Sequence, residues 1–339
     1  MPDHASREAL PANLQEHRAV KAWRQLQSEW VDTDQIEILK LKTKSAVYRL
    51  SGVGPNGSAV IAKRCRTATA VVEQAIYDRF LTRLPLPALR CHGLVREPEG
   101  EGCWLFVEDA GRHPYSPALQ DHRGLAGRWL GSVHGVLGHS EFQALQALLP
   151  DRGPAHYLKL LRSARDVMVT LAESPVLAVD EAALVGTVLV VYRAIEARWD
   201  EVEQFCGACP QTLVHGDFVI KNLRLQNGTS APALLVYDWE MAGWGVPATD
   251  LAQSLGKCAS PDLEAYYSAL RQNGAPAEMG ELRRLANYGT LLRLVDKIFW
   301  DTVGIGGETR DFLIRPILAL KNYEPQLTSA LRLLDWGTA

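Results

Sequence analysis

Val20, Trp23, Leu26 and Trp30 recur at helical spacing among good helix formers, so residues 15–30 are predicted to form a helix. The period then changes. IEILKLK, AVYRLSG and SAVIAKR alternate apolar and polar positions and are rich in β-branched residues, which predicts three strands. GVGPNG between the second and third is a hairpin turn signal. Residues 69–83 return to a helical period and stop at LPLP. LRCHGLVRE and GCWLFVED read as two more strands joined by a PEGEG turn. The first ~110 residues therefore predict a five-stranded antiparallel sheet carrying one long helix.

After Asp109 the Gly/Pro-rich AGRHPYSP leads into mostly helical patterning, at 118–137, 155–173, 180–204, 247–257, 260–273, 279–300 and 309–334. Only two short strands interrupt it, near 223–226 and 233–237. The expectation is an α+β chain of two lobes: a small β-rich lobe over 1–110 and a larger helical lobe over 111–339. Ligands are expected in the cleft between them.

Composition narrows the function. The chain has 339 residues, 47% hydrophobic and 22% charged, an ordinary balance for a packed core. Lys+Arg total 36 against 39 Asp+Glu, a net charge of −3. That is not the basic excess of a general nucleic-acid binder. No apolar run approaches the length that spans a bilayer. The polar N-terminal stretch has no apolar signal-peptide region, so a cytoplasmic protein is expected. Six scattered cysteines, at 65, 91, 103, 206, 209 and 258, form no disulfide framework. The one CxxC, Cys206 with Cys209, lacks a second ligand pair for zinc.

The chemistry concentrates in LVHGDFVIKNLRL and ALLVYDWE. If the two apolar segments pair as a hairpin, Asp217, Asn222 and Asp238 share one small site. An asparagine oxygen and a carboxylate are hard ligands suited to Mg²⁺, which bridges substrate phosphates. Asp217 then remains free to accept a proton from an attacking hydroxyl. This set suits phosphoryl transfer, where catalysis is positioning and charge neutralisation. Lys63, inside the apolar strand VIAKRC, is costly there unless paired. Glu73 on the following helix is its expected partner, with Asp78 an alternative, and Lys63 would hold the α- and β-phosphates of ATP.

HGDFVIKN and YDWE resemble the catalytic and metal motifs of the aminoglycoside phosphotransferase and choline kinase family, which has a protein-kinase-like fold. The likeness runs in order through Lys63, Glu73, LPLP, a hinge-like LFVEDAG, His134, HGDFVIKN, YDWE and PATDLA. It implies Asp217 as catalytic base, Asn222 and Asp238 as Mg²⁺ ligands, and adenine at a hinge near 107–111, against the backbone of Val107, Glu108 and Asp109. The family's glycine-containing turn over the phosphates is here KTKSAV, where Lys42, Lys44 and Ser45 are the groups that would contact phosphate. The activity implied is ATP-dependent transfer to a hydroxyl of a small molecule, first of an antibiotic such as an aminoglycoside. A kinase for choline, homoserine or a sugar is the alternative. A nucleotide-binding pseudokinase is the reading from another class, supported only by the glycine-poor turn.

Other residues have ordinary readings. His215 orients the loop, His134 packs within its helix, and Asp250 braces the loop or begins a helix. Glu240 is either beside the metal or a surface acid. Lys221 is expected to point to solvent. Trp244, Trp300 and Trp336 are expected in the core. Gly216 stands where protein kinases carry the arginine that holds a phosphorylated loop, and the segment after Asp238 is short, so a small acceptor is expected.

Overall fold

The computed structural model describes residues 10–28, 31–42, 45–136, 143–227, 232–275, 278–303 and 310–337. Strands β1 (Gln35–Lys42), β2 (Ser45–Ser51), β3 (Val60–Arg66), β4 (Cys91–Arg96) and β5 (Gly102–Glu108) form one antiparallel sheet in the order β1-β2-β3-β5-β4. Successive side chains of a strand point to opposite faces, and the two faces have different uses. Tyr48, Leu50, Val60, Ala62, Trp104 and Phe106 are buried against helix α1 (Arg18–Arg24), whose Trp23 ring lies 5.2 Å from that of Phe106. Burying one such phenylalanine contributes about 1.5–3 kcal/mol. The opposite face carries Lys63, Cys65 and Leu105 and is covered by helix α2 (Thr67–Ala75), through Ala70. Alternation in β3 thus forces Lys63 toward α2 and the cleft once Ala62 is in the core.

The helical part contains α3 (Gln120–His134), the short α4 (Gln143–Gln146), α5 (Pro154–Ala172), α6 (Val179–Ala197), α7 (Trp199–Gly207), α8 (Leu263–Gln272), α9 (Met279–Thr302) and α10 (Arg310–Leu333). Two small sheets lie among them. Strands β6 (Asp151–Arg152), β7 (Thr212–Val214) and β10 (Gly243–Gly245) pair in the order β6-β10-β7, and β8 (Leu223–Asn227) pairs antiparallel with β9 (Pro232–Val236). Helix α9 runs through the centre with Tyr288, Leu291, Leu292, Leu294 and Val295 almost fully buried. At Gly289 a Cβ would come 1.8 Å from the Ala248 carbonyl oxygen, so only glycine lets the segment carrying Asp250 lie against this helix.

Several boundaries differ from the sequence reading. Helix α1 is shorter than 15–30, because His17 caps it by accepting from the Ala19 N–H at 3.2 Å; Trp30 lies outside the described residues. The pattern over 180–204 is two helices, broken at Arg198. The stretch 247–257 is a 3₁₀ turn over Pro247–Leu251, not an α-helix, and Ser254 beyond it takes a left-handed φ of 53°. Helix α2 stops at Ala75, and the chain continues as a π turn over Ile76–Phe80. All six cysteines are free, and no described group of three His, Cys, Asp or Glu side chains is placed to hold a metal ion. No described helix is long and apolar enough to cross a membrane.

Candidate active site

Strand β7 delivers the chain into His215-Gly216-Asp217, and buried Asp250 fixes that turn. Its carboxylate accepts from the His215 N–H at 2.6 Å and the Gly216 N–H at 2.9 Å. His134 supports Asp250 from behind, with Nε2 3.5 Å from Asp250 Oδ2 and Nδ1 3.2 Å from the Tyr266 hydroxyl. His215 Nδ1 accepts from the Asp217 N–H at 3.2 Å, which leaves Nε2 to donate to the Tyr237 carbonyl at 3.1 Å. Burial lowers the His215 pKa, consistent with this neutral tautomer. His215 and Asp250 therefore hold the loop in shape, as the sequence reading expected of them.

Gly216 has φ 73°, and a Cβ there would meet the Met241 carbonyl oxygen at 2.3 Å. No arginine of the protein-kinase kind fits at this position. Gly216→Ala is expected to destabilise the protein by ~2 kcal/mol or more, combining left-handed strain with a backbone clash. Urea unfolding measures the loss; an unchanged midpoint would mean that the turn relaxes freely.

Asp217 is held on both carboxylate oxygens. Asn222 donates its Nδ2 to Asp217 Oδ2 at 3.1 Å and to the Asp217 carbonyl at 2.9 Å. Lys221 Nζ lies 2.9 Å from Oδ2. On the other side Arg293 of α9 pairs with Oδ1 and donates to the Gly216 carbonyl at 2.7 Å. Arg293 is itself fixed by Asp296 at 2.8 Å. Burial works against the charge of Asp217, but Arg293 and Lys221 outweigh it and hold its pKa at about 2.

The β8–β9 hairpin brings Asn222 and Asp238 to one end, where the Tyr237 N–H donates to the Asn222 carbonyl at 3.1 Å. Asp238 sits in left-handed backbone, φ 65° and ψ 65°, a conformation that costs a non-glycine residue ~1–2 kcal/mol. Its carboxylate meets Lys63 Nζ at 2.5 Å, and Lys63 also pairs with Glu73. Burial opposes the Lys63 charge, but the two carboxylates more than offset it and hold its pKa well above the ordinary lysine value. Asp78 takes no part in this pairing: it is exposed, on the π turn beyond α2.

Lys63, Glu73, Val107, Glu108, Asp109, Asn222 and Asp238 all line one cavity of about 460 Å³ between the sheet and the hairpin. Val47, Ile61, Leu89 and Val107 give it an apolar wall, and Lys42 stands at its edge. Ser45, opposite Lys42 at the start of β2, is not among the lining residues, and Lys44 lies outside the described residues. Glu108 is tied to Arg90, its N–H donating to the Arg90 carbonyl at 2.8 Å and its carboxylate accepting from the Arg90 N–H at 3.1 Å. Asp109 accepts from Arg49 at 2.7 Å. A larger concavity of about 660 Å³, lined by Phe205, Pro210, Tyr266 and Leu285, has no such constellation of lysine, carboxylates and amide.

The donor set suits Mg²⁺ carried on a polyphosphate. The Asn222 Nδ2 group donates to Asp217, which leaves its Oδ1, without a hydrogen-bond partner among the described residues, as the ligand atom in the cavity that Asp238 also lines. Two protein oxygens are enough for an ion that keeps its waters and takes its other ligands from phosphate.

Two further side chains depart from the sequence reading, and one was not foreseen. Lys221 pairs with Asp217 although its side chain is 62% exposed. Trp300 is 56% exposed rather than in the core, its Nε1 donating to Asp296 at 3.1 Å. Arg293 was not anticipated: it lies far along the sequence from Asp217, within a helix that reads as ordinary amphipathic patterning.

Comparison with known proteins identifies the family and the fold. The phosphotransferase enzyme family model matches residues 36–286. The chain belongs to that family. Its fold is protein-kinase-like. A Plasmodium vivax ethanolamine kinase superposes with a TM-score of 0.57 at 15% identity, covering 89% of this chain and 83% of that one. A macrolide 2′-phosphotransferase from Brachybacterium faecium gives 0.56 at 16% identity, covering 86% and 94%. A spectinomycin phosphotransferase, solved with ADP and spectinomycin, gives 0.58 at 10% identity, covering 90% and 94%. No curated protein sequence matches significantly.

Proposed function

We propose that this phosphotransferase moves the γ-phosphoryl group of ATP to a hydroxyl of a small molecule, with Mg²⁺, in the cytoplasm. Residues 1–110 are assigned as the nucleotide-binding lobe, 107–111 as the hinge and 111–339 as the helical lobe. The observation that carries the reading is the Asn222 amide, which donates to Asp217 at the rim of a cavity whose opposite wall holds the Lys63–Glu73 pair. One residue thereby joins an acceptor-side carboxylate to a nucleotide-sized cavity.

The adenine ring would lie against Val47, Ile61, Leu89 and Val107, and Lys63 would neutralise the α- and β-phosphates while Glu73 fixes its position. Asn222 and Asp238 would hold Mg²⁺, which neutralises charge on the β- and γ-phosphates. Asp217, charged throughout the working pH range, orients the acceptor hydroxyl. It takes the hydroxyl proton as the new O–P bond forms and the bond from the γ-phosphorus to the β–γ bridging oxygen breaks, releasing ADP. A base of such low pKa acts chiefly by orientation, because the hydroxyl becomes acidic only as its bond to phosphorus forms.

The acceptor is small. Gly216 removes the arginine that would hold a phosphorylated loop, and the chain after Asp238 makes only a 3₁₀ turn and β10 before Asp250. Its fold neighbours include an ethanolamine kinase, a macrolide phosphotransferase and a spectinomycin phosphotransferase, so acceptors on this fold are small hydroxyl compounds of varied class. The test is ADP release from Mg²⁺-ATP across aminoglycosides, macrolides, choline, ethanolamine, homoserine, hydroxy acids, sugars and sugar phosphates. At least one hydroxyl compound is expected to raise ADP release above the acceptor-free rate. Silence across the panel, with ATP binding shown by calorimetry, would favour the pseudokinase reading.

A further inference from the structure

Lys297 lies one turn beyond Arg293 on α9, and its ammonium reaches the Cys258 sulfur at 3.9 Å. Cys258 belongs to a segment that runs alongside the catalytic loop. The Ile220 N–H donates to the Lys257 carbonyl at 2.9 Å, the Ala259 N–H to the Phe218 carbonyl at 3.3 Å, and Val219 faces Cys258 in an antiparallel bridge. The Lys297 head is thereby held beside the residues that directly follow Asp217. Neither Lys297, Arg293 nor Cys258 lines the nucleotide cavity, so this cluster flanks Asp217 on the side away from the nucleotide.

The charges there do not balance. Arg293 is met by Asp217 and Asp296, and Lys221 shares Asp217. Lys297 has no carboxylate partner among the described residues. The next acid on its face, Asp301, accepts instead from the Tyr323 hydroxyl at 2.9 Å. A half-buried ammonium without an anion is unfavourable. Burial, with the Arg293 charge nearby, pushes its pKa below the ordinary lysine range, although Cys258, Asp217 and Asp296 act the other way and offset part of the shift. A polycationic acceptor brought to Asp217 would add like charge beside Arg293, Lys221 and Lys297, whose two carboxylates, Asp217 and Asp296, are already engaged by Arg293 and Lys221. An anion would complete the set. Trp300, exposed and hydrogen-bonded to Asp296, offers an indole face next to it.

Resting on the phosphotransferase reading above, we propose that the acceptor is an acidic alcohol, a small hydroxyl compound carrying a carboxylate or a phosphate ester, whose anionic group pairs with Lys297 while its hydroxyl is held by Asp217. Four residues of helix rise about 6 Å from Arg293 to Lys297, so hydroxyl and anion lie only a few bonds apart. The transfer balances as R–OH plus ATP giving R–O–phosphate plus ADP, the hydroxyl proton passing to Asp217 and then to water. Lys297 touches the acceptor's anion and takes no proton.

The test measures ADP release from Mg²⁺-ATP in four arms: hydroxy-carboxylates, sugar phosphates, neutral polyols and sugars, and cationic acceptors (choline, ethanolamine, gentamicin). Turnover is expected in one of the two acidic arms, and which one identifies the anion. For that acceptor, Lys297→Met is expected to raise KM about tenfold or more while changing kcat less than about threefold. Lys297→Arg should retain most of the affinity, and ATP affinity should be the same in all three proteins. Turnover confined to neutral or cationic acceptors, or acidic turnover that Lys297→Met leaves unchanged, would overturn the inference and leave the phosphotransferase reading standing. Silence in every arm would overturn both.

Discussion

Lys63→Ala is expected to lower the unfolding free energy by roughly 3–5 kcal/mol, as breaking a buried ion pair from one side does, and to abolish measurable turnover. Lys63 is 7% exposed and lies between Glu73, 2% exposed, and Asp238. Removing the ammonium leaves two carboxylates facing each other in a pocket walled by Tyr77 and Leu89. The loss has a definite pH dependence. In the native protein Lys63 lowers the Asp238 pKa against burial, so that contribution is present above the unfolded carboxylate value and fades as pH falls through the folded one. In the variant, burial and mutual repulsion raise both carboxylates. A group whose folded pKa is raised binds more protons folded than unfolded, so the variant loses less stability at pH 5 than at pH 8. Urea unfolding at the two pH values reads this directly. Lys63→Met combined with Glu73→Gln is expected to recover much of the stability and none of the turnover. Recovery of both would show that Lys63 is a structural group only.

Asp217→Asn is expected to reduce kcat by about 10³-fold, within the range for loss of a positioned proton acceptor, and to change ATP affinity by less than about threefold. The reasons are geometric. Asp217 does not line the nucleotide cavity, so ATP loses no contact. The amide keeps the shape of the side chain, and Arg293 retains Asp296, so no buried charge is left unpaired. What disappears is the charged oxygen that orients the hydroxyl and accepts its proton.

Much of this was legible in the sequence. Strands β1, β2 and β3 announce themselves by alternation and β-branched residues, whereas β4 and β5 show as short apolar runs flanking a PEGEG turn, β5 being buried on both faces. Lys63 stood out because a lysine in an apolar strand needs a partner, and the helical return right after the strand pointed to Glu73. The spacing of Asp217, Asn222 and Asp238 was readable because one hairpin joins Asn222 to Asp238 locally. Arg293 was not readable: its contact with Asp217 is made by packing α9 against the loop, and an arginine in LLRLVDK carries no local sign of that. The pairing of Lys221 with Asp217 had a local sign, four residues of separation, but a side chain so exposed reads as solvent-facing. Strands β6, β7 and β10 are two or three residues long, too short for any periodic signal. Residues 247–257 carried helical composition, yet Asp250 is drawn under the loop to meet the His215 and Gly216 amides, and a tight 3₁₀ turn serves that better than a continuous helix.

The most direct measurement follows γ-³²P-labelled ATP into the acceptor found by the panel, for the native protein and for Asp217→Asn side by side. Label is expected in an organic phosphate monoester with the native protein, and at a rate about 10³-fold lower with Asp217→Asn, at equal ATP occupancy. Label recovered only as inorganic phosphate, or equal transfer by the two proteins, would contradict that expectation.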